Sequence, residues 1–125
     1  MMIPGNNPAE YPAVWQKTAT LLTQVYIESR KIPETEKTGI AGKIRHTSAP
    51  ILTDMVHGFK QKSIIRRINL LKISRDAILE LETQLKIANG FNCIGEETFK
   101  GFSITIKEIS TALDEIINSM QGELN

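Results

Sequence analysis

The sequence predicts an all-α protein, an antiparallel up-down-up-down four-helix bundle. Three observations carry this. Apolar residues recur at three- and four-residue spacings through four long segments. No strand pattern of comparable length occurs, and the segments are punctuated by Pro, Gly and Ser. Connections this short oblige consecutive helices to pack as antiparallel neighbours. The 125 residues make one domain, read as a loose N-terminal leader over residues 1–12 and a bundle over residues 13–122.

Each element has its own signature. The leader holds Pro4, Gly5, Pro8 and Pro12 with Asn6 and Asn7, a turn-rich composition. Helix one is predicted from about Ala13 to Arg30, with Trp15, Leu22, Val25 and Ser29 on one stripe and Val14 and Leu21 widening it. Ile32-Pro33 ends it. Helix two is expected to begin near Glu34, where Glu34 and Glu36 suit the positive end of the helix dipole. Ile40, Ile44, Ser48, Ile51 and Met55 give its spacing, Pro50 predicts a kink, and Gly58 is expected as a left-handed C-terminal cap.

Helix three is predicted from an N-cap at Ser63 to about Asn89, with Gly90 closing it. Its main stripe runs through Ile64, Leu71, Ile78, Leu81, Leu85 and Ala88, and Leu70, Ile73, Ala77 and Ile87 flank it. That face is wider than one seam needs, which points to a contact beyond the monomer's own core. Helix four is the cleanest. Phe99, Phe102, Ile106, Ile109, Leu113, Ile116 and Met120 step by 3, 4, 3, 4, 3 and 4 residues. Glu96 and Glu97 stand in its first turn, and Gly122 is expected to end it.

Hydrophobic residues make up 41% and charged residues 23%, enough to bury a core and too apolar for a disordered chain. No apolar run approaches a membrane span, and no signal-peptide pattern stands at the N-terminus. One cysteine, Cys93, excludes an intramolecular disulfide framework. These features predict a cytoplasmic protein without a membrane partner. The net charge of +1 hides a strong asymmetry. Residues 43–75 hold eight basic side chains against the single acid Asp54, or +7, and the remainder holds seven basic against thirteen acidic, or −6. Arg45, Lys60, Lys62, Arg66, Arg67, Lys72 and Arg75 are therefore the candidate nucleic-acid-binding residues. Antiparallel return of helix three along helix two would lay them out as a basic strip, and phosphate contacts need positive charge at intervals. Only Phe59 interleaves, which argues against base stacking. The competing reading is a set of solvated helix faces.

Catalytic constellations are missing. There is no Glu-x-x-His, His-Glu-x-x-His, Cys-x-x-Cys, phosphate-cradling glycine loop or nucleophile elbow. His46 and His57 would stand about 16 Å apart on a straight helix, too far to share one metal. Cys93 has no adjacent base to activate it and reads as a bystander thiol. No enzyme activity, metal or cofactor is expected.

Several strings together resemble a known family. Val14-Trp15-Gln16-Lys17, Gly39, Ile44-Arg45, Gly58, Ser63 and above all Glu80-Leu81-Glu82-Thr83-Gln84-Leu85 resemble the bacterial four-helix-bundle proteins, also called the 23S rRNA intervening-sequence proteins. The resemblance runs from about Tyr11 to Gln121. It implies a ring-like homopentamer, a gene often carried inside an inserted segment of 23S rRNA, and no established enzymatic activity. A related branch is the accessory variability protein of diversity-generating retroelements, a bundle that binds nucleic acid and a reverse transcriptase. Arg66-Arg67-Ile68-Asn69-Leu70 is similar to that branch, whereas the near-neutral total charge is not. Departures from the family cluster on helix two: His46 where a second arginine is usual, Asp54 and His57 where Asn and Glu are typical, and Pro50 where a small residue is preferred. The expected function is therefore a non-enzymatic oligomeric bundle binding structured RNA or DNA, with a retroelement accessory scaffold as the alternative.

Overall fold

The computed structural model describes residues 13–33, 35 and 39–124. Four helices follow one another: α1 (Ala13–Arg30), α2 (Ile40–Lys60), α3 (Ile64–Gly90) and α4 (Glu96–Leu124). The leader, and the acids Glu34 and Glu36 expected to open helix two, lie outside the described residues. α1 packs on α2 and α4, and α3 packs on α2 and α4, while the backbones of the diagonal pairs stay apart.

Direction follows from the pairings. Gly58 approaches Leu70 and Leu71, Ser74 Oγ donates to the Ile51 carbonyl at 3.4 Å, and Gln84 Nε2 donates to Thr47 Oγ1 at 2.8 Å. Numbers fall along α2 as they rise along α3, so these two helices are antiparallel. Arg75 on α3 meets Asp114 at 3.0 Å, while Leu79 and Glu82 share a groove with Ser103 and Lys107. Lys17 on α1 meets Glu108 at 3.0 Å, while Gln24 and Glu28 lie beside Glu97 and Gly101. Both pairs again run in opposite senses. The bundle is up-down-up-down.

The core is built from the expected periodicity, rotated in two places. On α1 the buried residues are Val14, Thr18, Leu21, Val25 and Ser29, whereas Trp15 and Leu22 pack at the margin. Thr18 is admitted because its hydroxyl donates to the Val14 carbonyl at 2.7 Å, and Ser29 because its own donates to the Tyr26 carbonyl at 2.7 Å. On α4 the buried seam is Phe102, Ile106, Ile109, Leu113, Ile117 and Met120. Ile117 thus replaces Ile116, and Phe99 and Ile116 are only partly buried. A 3.6-residue helix drifts relative to a strict seven-residue repeat, which moves the inward position one residue on over the last two turns.

The helix ends depart from expectation where backbone geometry decides. α2 starts at Ile40 because Gly39 sits in the left-handed region at φ 65° and takes the N-cap position. α2 continues through Pro50, which is exposed, as is His46, so the missing hydrogen bond falls on the solvated side. Ser63 caps α3 as predicted, its hydroxyl accepting from the Arg66 N–H at 3.3 Å. Gly90 is the last helical residue of α3, and the left-handed residue is Asn92 at φ 61°. Cys93 N–H returns to the Ala88 carbonyl at 2.8 Å and Asn92 N–H to the Asn89 carbonyl at 3.0 Å, a Schellman closure with asparagine in the usual glycine position. α4 passes through Gly122 to Leu124.

Gly58 is not a cap. It lies inside α2 and is buried, and a Cβ there would stand 3.1 Å from Leu71 Cδ2 and 3.2 Å from Leu70 Cβ. Glycine lets α2 and α3 approach closely at this point. Gly58→Val is expected to lose about 1 to 3 kcal/mol through overpacking. Gly101→Ala, in open space on α4, should gain about 0.5 to 1 kcal/mol from helix propensity. Urea midpoints at constant slope check both, and the opposite signs separate close packing from a general dislike of side chains at glycine positions.

Candidate nucleic-acid interface

The seven basic candidates divide by what the fold does with them. Lys60 ends α2, Lys62 stands in the connection and Arg66 is in the first turn of α3; all three are exposed. Among the described residues none of them forms an ion pair. They surround one turn, within seven residues of chain. Ser63 keeps α3 wound up to this point, so Arg66 is held on a rigid element close to the helix's positive end.

Arg67 is next in sequence and physically different. It is 3% exposed, and its Nε and Nη2 donate to the Gln61 carbonyl at 3.1 and 2.6 Å. The guanidinium clamps the α2–α3 connection instead of presenting charge. One residue makes this difference because a step of about 100° around the helix axis carries a side chain from the solvated side to the packed side. The Arg66-Arg67 string carries no mark that distinguishes the two.

Lys72 and Arg75 lie elsewhere. Six residues of helix place Lys72 about 120° around α3 from Arg66, toward α4. Arg75 Nη1 donates to Asp114 at 3.0 Å, and its Nε and Nη2 to Asp76 at 3.3 and 3.2 Å. The hydrogen bond that Arg75 donates to Asp114 is the main influence holding its guanidinium above the usual range; partial burial opposes it and Asp76 adds to it. Arg75 is charged at every working pH, and that charge faces carboxylates. Arg45 is half-buried at the far end of α2, with Nη1 3.4 Å from the Ser29 carbonyl at the end of α1, where a cation complements the helix dipole.

The fold therefore gathers Lys60, Lys62 and Arg66 at one turn, leaves half-buried Lys72 to one side, and engages Arg45, Arg67 and Arg75 internally. His46 and His57 are both exposed on α2, and half-buried Cys93 lies 3.8 Å from the Phe91 carbonyl. Gln84, which by sequence is a polar member of the Glu80–Leu85 string with no site role, is half-buried and reaches Thr47 across the α2–α3 groove. Only its partner, 37 residues away, distinguishes it from an exposed polar residue. Among the described residues no group of three His, Cys, Asp or Glu side chains is placed to hold a metal ion, and no helix is long and apolar enough to cross a membrane.

Fold and surface together define a small antiparallel helical bundle that offers a basic turn. The chain belongs to the 23S rRNA-intervening sequence protein family, whose model matches residues 11–115. That span contains every string on which the sequence resemblance rests, including Glu80–Leu85 on α3. A search of curated proteins gives no match.

Proposed function

We propose that the protein acts by binding, not by catalysis, as an oligomeric helical bundle that takes the phosphate backbone of structured RNA on its α2–α3 turn. The observation that carries this is the turn itself: Lys60, Lys62 and Arg66 are exposed and free of ion pairs among the described residues, at the amino end of a capped helix. Flexible lysines and an arginine with no aromatic neighbour on the surface suit phosphate contacts. Phe59, the aromatic residue beside them, is fully buried, which removes it as a stacking platform. The family's designation associates it with 23S rRNA, and structured RNA is the first ligand to test. Assembly would repeat the turn, making several weak patches one multivalent surface.

The test is a titration against structured ribosomal RNA at about 50 and 200 mM salt. Three phosphate contacts per chain should weaken binding by about fortyfold between those conditions. Arg66→Glu should lower the salt slope by about one. No binding at the lower salt retires the proposal.

A further inference from the structure

We infer that the RNA this protein takes carries unpaired nucleotides, whose bases lie on a mostly apolar row along the outward face of α3. The inference rests on the RNA reading above and names the class of RNA. Ile65, Asn69 and Ile73 carry it. All three are exposed, the isoleucines at 59% and 52%. They follow one another at four-residue steps, so each lies about 40° around the axis from the last and about 6 Å along it. Neighbours at this spacing meet on a helix surface, and the three form one row that starts beside Arg66.

Cations border the row. Exposed Arg66 and half-buried Lys72 stand about 120° apart around α3, and Ile65, Asn69 and Ile73 all fall within that arc. Lys62 stands just before it in the connection. The arc also holds Asp76, whose carboxylate Arg75 engages at 3.2 Å. Core packing does not account for the isoleucines, because the inward residues here are Ile68, Leu71 and Ser74. Helix stability does not account for them either, since lysine or glutamate fills a solvated helical position better than a β-branched residue does. Local choices that contradict a solvated helix point to an occupant.

The chemistry of the row selects that occupant. Continuous A-form duplex offers phosphates and 2′-hydroxyls, and keeps base edges in a deep, narrow major groove that side chains do not read. Lysine and arginine are enough to hold such a surface. Exposed isoleucines gain contact where a base has left its stack and can lay an apolar face on them. The amide of Asn69, with donor and acceptor side by side, meets the edge of the same base. Arg66 holds the phosphate next to it. Phe59 is buried, so the packing is aliphatic, and phosphate contacts keep the larger share of the affinity.

Anisotropy titrations at about 50 and 200 mM salt test this with two RNAs of equal length, a continuous duplex and a duplex interrupted by bulged adenines. The wild type should bind the bulged RNA about tenfold more tightly, with a similar salt slope for both. Ile65→Ala, Asn69→Ala and Ile73→Ala should each shrink that preference and leave duplex affinity and slope unchanged. Arg66→Glu should weaken both RNAs alike. A second readout uses the unaltered protein: 2-aminopurine in place of a bulged adenine should brighten on binding, because leaving the stack relieves its quenching. Equal affinity for the two RNAs, a preference that survives all three alanine variants, or no brightening overturns the inference and spares the phosphate reading. Binding to neither RNA removes both. If the alanine variants instead alter the sedimentation of the protein alone and keep the preference, the row meets protein and the inference falls.

Discussion

Ile106→Ala and Leu113→Ala should each lower the free energy of unfolding by about 2 to 5 kcal/mol, the largest losses expected from single substitutions in this bundle. Both side chains are buried at 1% and 0% exposure in the middle of α4, the helix that closes the core against α1 and α3. Truncation removes apolar area and leaves a cavity that facing residues, including fully buried Leu71 and Ile78, cannot collapse into without moving whole helices. Ile104→Ala, at a position 64% exposed, should stay within about 0.5 kcal/mol of wild type. The rotation of the seam gives a sharper comparison. Ile117→Ala should cost more than Ile116→Ala, although a strict seven-residue repeat picks the latter. Urea denaturation with unchanged slope measures all four; equal costs at 116 and 117 would mean that α4 is turned differently at its end.

Arg67→Met should cost about 1.5 to 3 kcal/mol, the worth of hydrogen bonds from a charged group whose acceptor is left without a partner. A buried guanidinium is costly to desolvate unless its donors are satisfied. Here two of them converge on the Gln61 carbonyl at the end of α2, so that one side chain joins the connection to the first turn of α3. Arg67→Lys should recover only part of the loss, because an ammonium cannot present Nε and Nη2 in a fixed fork. Affinity for RNA and its salt slope should be little changed in Arg67→Met so long as it is folded. Arg66→Glu should show the opposite pattern, with stability near wild type and a reduced slope. A matched effect on binding from both substitutions would mean that Arg67 leaves its carbonyl to meet phosphate.

Much of the fold was legible in the residues. Ser63 predicted a cap and is one; Glu96 and Glu97 predicted the start of α4, and it starts there. The heptad-like spacing of Phe102, Ile106, Ile109 and Leu113 named residues that are all buried. The site was less legible. Seven cations in a row of sequence looked like one strip, yet three of them are held by groups that no local pattern reveals. The acceptor for Arg67 is a backbone carbonyl, and carbonyls are the same at every residue. Asp114 is 39 residues from Arg75, and the Ser29 carbonyl is 16 from Arg45.

Sequence by itself determined four helices, their order, and the short connections that make neighbours antiparallel, because apolar spacing and turn residues act locally and add along the chain. It also determined that positive charge concentrates between residues 43 and 75. The tertiary structure alone decided which of two adjacent stripes faces inward on α1, where Thr18 displaces the more apolar Trp15, and on the last turns of α4, where Ile117 displaces Ile116. It decided too that Gly58 is a point of close approach and that Asn92, not Gly90, turns the chain. Local spacing tolerates a rotation of a helix by part of a turn, since either stripe is periodic. The facing helices do not, because a close-packed interior accepts only side chains whose shape and hydrogen bonds fit the space left by the others.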